Sequence, residues 1–265
     1  MDEERLRRRA SFDEDPAGYA SGRPGYPEAV FDAVLAYGRL GPGSRALEIG
    51  CGPGHATVPL AQRGVRIDAV ELGERMAREA RRRATGLPVT VRVGAFEETP
   101  IEESAYDLVL AASSFHWLDP AVRMSRAAAA LRPGGSLALI WTKHVRAEED
   151  SGFFDAVQEV YAREAPDIRR NFAALPEAEG VPEPFRDEIE ESGLFDDAQV
   201  RRFRWDRWYS AEEYVNLLAT YSDHKALEPA VRRALLHAVA DLIRRRFGGS
   251  VLRGHLTLLY LARRR

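Results

Sequence analysis

The chain has 265 residues, 45% hydrophobic and 30% charged, the balance of a globular protein with a substantial core. Its net charge of -3 offers no global attraction to nucleic acid or to an anionic membrane. Cys51, the one cysteine, excludes an intrachain disulfide and fits a reducing, cytoplasmic setting.

No run of about 18 apolar residues is present, so no membrane span is expected. Met1 to Arg9 are charged and lack the apolar stretch of a secretory signal. Pro27 fits a first helical turn, and Val30, Phe31, Val34 and Leu35 recur on one face of the helix that follows. Gly38 and the turn Gly41-Pro42-Gly43 end it.

From there strands and helices alternate. Ala46 to Ile49 reads as a buried strand, followed by a glycine turn and a helix to about Arg63. Val65 to Glu71 is a second strand, Arg75 to Ala84 a helix, and Val89 to Val93 a third strand rich in β-branched residues. Asp107 to Ala112 is a fourth strand. A helix over Ala121 to Leu131 stops at Arg132-Pro133-Gly134-Gly135, before a fifth strand from Ser136 to Trp141. This order predicts parallel βαβ units in a doubly wound α/β sheet, with a ligand site beyond the carboxyl ends of the strands.

After Trp141 the residues are polar and helical, with four prolines across a loop-like centre. Val200 to Trp208 resumes a strand pattern. Ser210 and Glu213 have the spacing of a capping box opening a helix. A further helix runs from about Ala230 to Arg246, and Leu256 to Ala262 closes as a strand. The arginine clusters at Arg7 to Arg9, Arg244 to Arg246 and Arg263 to Arg265 read as solvated faces and tails, without the aromatic interleaving of a nucleic-acid surface.

The turn Glu48-Ile49-Gly50-Cys51-Gly52-Pro53-Gly54 lies between a strand and a helix, where backbone amides and a helix N-terminus can meet a ligand. A tight turn can also need glycine for conformational reasons alone. The dinucleotide fingerprint would place its third glycine at position 55, which is His55, whereas the glycine is Gly54. Glu71 ends the second strand at a distance suited to a ribose, or is a solvated strand-end charge. The run resembles the first motif of class I S-adenosylmethionine (SAM)-dependent methyltransferases.

That resemblance implies a Rossmann-like, mostly parallel seven-stranded sheet with helical lid insertions, and SAM as cofactor. It implies that the loop of Glu48, Gly50, Cys51, Gly52 and Gly54 wraps the methionine half, that Glu71 takes the ribose, and that Leu72 packs on the adenine. Gly94-Ala95-Phe96-Glu97 resembles the family's adenine segment. Ala95 stands where many members carry an aspartate, leaving backbone groups of Ala95 and Phe96 to hold the ring; Phe96 as plain core is the alternative.

Ala112 to Pro120, including Ser113 and His116-Trp117, lacks the Asn/Asp-Pro-Pro-Tyr/Phe of amide and base-amine enzymes. It is similar to the corresponding stretch in trans-aconitate methyltransferases, whose acceptors are carboxylates, although close relatives use other acceptors. Tyr19 and Arg23-Pro24-Gly25-Tyr26-Pro27 resemble the segment that closes over the cofactor. The likeness covers about residues 12–141.

The expected layout is therefore an N-terminal helical cap (1–40), a SAM-binding core (41–142), helical lid insertions (143–194 and 209–250) and closing strands (195–208 and 251–265). Methyl transfer from a sulfonium is an in-line displacement, so positioning and water exclusion supply most of the acceleration. His116, able to titrate near neutrality, is the candidate base or acceptor-orienting group; a helix cap is the alternative. Arg23 would pair with the cofactor carboxylate or an acidic substrate, or lie on the surface. His144, Tyr221, Asp223 and His224 would line a lid or be ordinary loop residues. No metal spacing occurs. The implied partner is a small-molecule acceptor for O- or N-methylation, without nucleic acid or membrane; a homodimer stays open. The rival readings are a non-catalytic SAM-binding protein and an NAD-dependent oxidoreductase.

Overall fold

The computed structural model describes residues 12–149, 151–169 and 175–265, so the Arg7 to Arg9 cluster lies outside the described residues. After a short 3-10 turn at Phe12–Glu14 come helices α1 (Pro16–Gly22) and α2 (Glu28–Gly38). The alternating core follows: β1 (Arg45–Ile49), α3 (Thr57–Gln62), β2 (Arg66–Glu71), α4 (Glu74–Arg83), β3 (Val89–Val93), β4 (Tyr106–Ala112), α5 (Arg123–Ala130) and β5 (Leu131–Val145). The remainder comprises α6 (Phe153–Glu164), α7 (Pro166–Arg169), α8 (Pro184–Glu191), β6 (Phe195–Ser210), α9 (Ala211–Ala219), α10 (Ser222–Lys225), α11 (Pro229–Arg246) and β7 (Ser250–Arg264).

The seven strands form one sheet in the order β3-β2-β1-β4-β5-β7-β6. Strands β1 to β5 pair in parallel, while β7 runs antiparallel to both β5 and β6. Helices cover both faces, as an α/β sheet requires. β1 is buried along nearly its whole length because both of its faces are covered, which explains its continuous apolar run. In α4, Met76, Ala77 and Ala80 are buried while arginines fill the outer face. A further apolar cluster joins α6, α9 and α11 above the carboxyl edge of the sheet.

Several elements exceed their sequence signals. β5 begins at Leu131, not Ser136, because Tyr106 pairs with Leu131 and Leu108 with Ser136, so Arg132 to Gly135 bulge out between two paired stretches. The Pro-Gly-Gly turn signal is therefore a bulge within the strand. β6 and β7 extend beyond the predicted 200–208 and 256–262 because they pair with each other from Phe195 and Arg264 to Ser210 and Ser250. Arg263 to Arg265 are not a solvated tail: Arg263 donates to Tyr37 O, Arg264 to Leu131 O and Arg265 to Gly193 O. The capping box forms, with Ser210 Oγ accepting from Glu213 N at 3.1 Å and Glu213 Oε2 accepting from Ser210 N at 2.9 Å. Among the described residues no helix is long and apolar enough to cross a membrane, and no group of three or more His, Cys, Asp or Glu could hold a metal ion.

Candidate active site

A cleft of about 490 Å³ opens at the carboxyl ends of β1, β2, β4 and β5, a size suited to small-molecule ligands. Its floor is the glycine turn. Gly50, Gly52 and Gly54 have φ of 65°, 54° and 90°, the left-handed region that side chains disfavour. At Gly50 the constraint is double, since an added Cβ would lie 2.7 Å from Ser114 Cβ. Ser114 Oγ in turn donates to Ile49 O, fastening the turn to the end of β4.

Glu71 closes one side. Its Oε2 accepts from Gly52 N at 2.8 Å and its Oε1 from Gly73 N at 2.9 Å, so the carboxylate is oriented while each oxygen keeps a second acceptor position. Burial pushes its pKa up, and the two amides oppose that rise. Glu48 is buried at the end of β1 with Oε2 unpartnered, and desolvation holds its carboxyl up at about 8.

The N-terminal segment roofs this end. Asp13 Oδ1 accepts from Met76 N at 2.7 Å in the first turn of α4, pinning the segment to the core. Phe12 packs edge-on against Trp117 and Tyr19, with ring centroids 5.6 and 5.8 Å apart. Tyr19 stacks beside His55, whose Nε2 lies 3.1 Å from Ala20 O. Arg23 lies over the Tyr221 ring at 4.4 Å and the Tyr19 ring at 5.4 Å.

Of the residues singled out in the sequence, Tyr19, Arg23, Glu48, Gly50, Cys51, Gly52, Glu71, Leu72, Phe96, Ser113 and His116 all line the cleft. Two do not. Gly54 lies behind the turn, where its amide closes onto Cys51 O, and Ala95 lies outside the lining, its carbonyl accepting from Thr99 N and Oγ1. The carbonyl of Ala95 is thus committed to a local turn. Phe96 is both core and lining, buried among apolar residues with Arg126 over its ring at 5.4 Å.

His116 sits in the 3-10 turn Phe115–Trp117 at the end of β4, between Trp117 and Trp141 at 4.9 and 6.3 Å. Its Nδ1 is buried without a partner, so it caps no helix. The expectation that it titrates near neutrality fails: burial, with Lys143 and Arg123 nearby, lowers its pKa to about 4. Tyr221 and Asp223 also line the cleft, whereas His144 and His224 stand behind it. Tyr221 OH lies 2.6 Å from His144 Nε2, and Asp223 Oδ1 lies 2.8 Å from His224 Nδ1. Sequence reasoning missed Phe12, His55, Trp141 and Thr142, which line the cleft. Thr142 and Trp141 carried a signal as the end of a buried strand; Phe12 and His55 carried none.

The arrangement fits a cofactor with a cationic amino-acid end, since an unpartnered Glu48 oxygen and a cradle of glycine backbone face the same space. A model of the methyltransferase domain matches residues 46–135. An uncharacterised methyltransferase of Mycobacterium tuberculosis is 29% identical over 234 residues, covering 88% of this chain and 85% of that one. A ubiquinone biosynthesis O-methyltransferase of Methylocella silvestris is 38% identical over 96 residues, 35% of this chain and 38% of that one. A structure described as a candidate type II methyltransferase from Anaeromyxobacter dehalogenans superposes with TM-score 0.61 at 25% identity, covering 91% and 97% of the two chains. Phosphoethanolamine N-methyltransferase 2 of Haemonchus contortus, in complex with S-adenosylhomocysteine, shares the fold at TM-score 0.55 and 17% identity, over 95% of this chain and 57% of that one.

Proposed function

As a class I SAM-dependent methyltransferase, this chain has a second ligand to bring to its cofactor, and we propose that it methylates oxygen or nitrogen of a small-molecule acceptor in this cleft. The observation that supports the reading most is convergence: the Gly50 turn, Glu71 and the ends of β4 and β5 open on one cleft roofed by Phe12 to Arg23.

SAM, when bound, supplies an electrophilic methyl carbon on a sulfonium that departs as a neutral thioether. The protein's task is then to bind, orient and dry the site. Backbone at Gly50, Cys51 and Gly52, with Glu48, receives the amino-acid end of the cofactor. Glu71 accepts from the ribose hydroxyls through the oxygen positions left by Gly52 and Gly73. Leu72 and Phe96 flank the adenine, Ser113 lines the inner wall, and Tyr19 and Arg23 close the roof. Gly54 contributes the turn's backbone geometry, not a contact.

On the acceptor side, His116 is neutral at physiological pH and its ring nitrogen orients the acceptor, receiving a proton where the acceptor carries one. Trp117 and Trp141 exclude water around it. The test is calorimetric binding of SAM, S-adenosylhomocysteine and NAD, followed by S-adenosylhomocysteine release with a panel of small acceptors. SAM binding and acceptor-dependent turnover are expected. NAD binding without SAM binding, or SAM binding with no acceptor-dependent turnover across the panel, defeats the proposal.

A further inference from the structure

Among the described residues, three carboxylates line the cleft: Glu48, Glu71 and Asp223. The first two stand in β1 and β2, within the stretch that matches the methyltransferase domain, and the cofactor's amino-acid end and ribose engage them in the reading above. Asp223 comes from α10, far beyond the end of that match. No group of the cofactor is left for it, and the cofactor's own carboxylate would be repelled by it.

The neighbouring residues fix how Asp223 is held. Its Oδ1 accepts from His224 N and lies as close to His224 Nδ1, both at 2.8 Å. A carboxylate oxygen only accepts, so Nδ1 carries a hydrogen and Nε2 is left to the hydroxyl of Tyr161, 2.8 Å away on α6. His224 is fully buried, edge-on to the rings of Tyr161 and Tyr221 with centroids 5.7 and 5.6 Å apart, which keeps its ring from turning. Oδ2 is treated differently. It makes no hydrogen bond, no arginine or lysine among the described residues pairs with Asp223, and the side chain is 37% exposed. Burial alone would raise its pKa, but the bonds from His224 outweigh it and hold the carboxyl below the usual aspartate range. At neutral pH the cleft wall therefore carries an ionised carboxylate, fixed through one oxygen and free at the other.

We propose that Asp223 selects the acceptor, its Oδ2 accepting a hydrogen bond from an ammonium or hydroxyl group that the acceptor carries, with His224 and Tyr161 as the positioning residues behind it. This rests on the methyltransferase reading above and narrows its substrate class. An acceptor whose only polar groups are ionised carboxylates offers Asp223 no hydrogen and meets like charge. The acceptor of this chain is therefore of a different kind from those of the trans-aconitate methyltransferases.

The test uses the full chain and compares short amines, alcohols and carboxylic acids on matched carbon skeletons, with amino and hydroxy acids that carry both kinds of group. With S-adenosylhomocysteine bound, the compounds that carry a donor are expected to bind about 10- to 100-fold more tightly than the matched simple acids, and the amine and alcohol arms identify the donor. Asp223→Asn keeps an oxygen for the two His224 donors, since the reversed amide would set N–H against N–H, and puts a donor where Oδ2 was. It should raise KM for the best acceptor about 10- to 100-fold while the Kd for SAM stays within about twofold, and it should bind the simple acids more tightly than the wild type does. Tyr161→Phe releases His224 without altering the cleft surface. It should raise the same KM about fivefold with kcat and the Kd for SAM unmoved, a split that general loss of structure does not give.

Simple acids that bind the wild-type chain as tightly as the donors overturn the proposal, as does an Asp223→Asn enzyme with unmoved KM. So does an Asp223→Asn enzyme that loses SAM affinity, since that gives Asp223 to the cofactor. A Tyr161→Phe enzyme with unmoved KM overturns the positioning role. Failure of the wild-type chain to bind SAM, or to turn over any acceptor, sinks the underlying methyltransferase reading instead, and is seen before any variant is made.

Discussion

The hydroxyl of Tyr26 lies 3.0 Å from Ser113 Oγ, tying the segment that leads into α2 to the residue that follows β4. Ser113 holds φ at 57°, an unusual conformation for serine that this contact and its N–H bond to Ile140 O sustain. Tyr26→Phe keeps the ring but removes the partner. Stability should fall by about 1 kcal/mol, with a weaker Kd for SAM. Thermal unfolding and calorimetry check both, and an unchanged Kd means that Ser113 is held by the strand alone.

Gly50→Ala should abolish cofactor binding in a protein that still folds. The substitution needs a left-handed alanine and brings Cβ within 2.7 Å of Ser114 Cβ, together costing on the order of 1–3 kcal/mol or more in the turn. Gly86→Ala is the control, since it carries the backbone penalty at φ 82° with open space around it. If both variants bind SAM alike, the turn does not need its glycine for binding.

Glu48 predicts a proton release. With its pKa held up at about 8 by burial, it is protonated at pH 7 in the ligand-free protein. A cationic group placed beside it lowers that pKa, so SAM binding at pH 7 should expel up to one proton. Calorimetry in buffers of different ionisation enthalpy measures it, and Glu48→Gln should erase it. The same shift makes the folded state bind more protons than the unfolded one between about pH 4.5 and 8. Stability without ligand should therefore fall as pH rises through that window, by on the order of a few kcal/mol at most, and flatten in Glu48→Gln.

The buried histidines give the opposite slope on the acid side. Burial lowers His55 and His116 to about 4 and His255 to about 3 from an ordinary 6.5. The unfolded chain binds protons first, so stability is complete above about pH 6.5 and is lost as pH falls toward 4. Each group contributes on the order of a few kcal/mol at most. Denaturant unfolding between pH 7 and 4 checks this. In turnover, an acid limb from His116 should fall near pH 4, not 6.5, and His116→Ala should lower kcat while leaving the Kd for SAM intact.

The parallel core was legible because its central strands β1 and β4 are buried on both faces and read as continuous apolar runs, with a glycine turn and Glu71 at fixed places along the alternation. The capping box at Ser210 was legible because both partners sit within four residues. The extent of β5, β6 and β7 was not, since their pairing is long-range and the bulge at Arg132 to Gly135 carries the residues of a turn. The pKa of His116 escaped for the same reason: it depends on Trp141 and Lys143, distant in sequence. The packing of Phe12 on Trp117 and the bond of Arg253 to Tyr214 join residues distant in sequence and left no local pattern.

Chain order has a consequence for synthesis. β7 follows β6 in sequence yet lies between β6 and β5, so β6 has no sheet neighbour until Ser250–Arg264 has been made. Until then the nascent chain presents two unpaired edges, on β5 and on β6. Arg253 arrives with the same strand, so the bond from its guanidinium to Tyr214 OH in α9 forms only once β7 has been made.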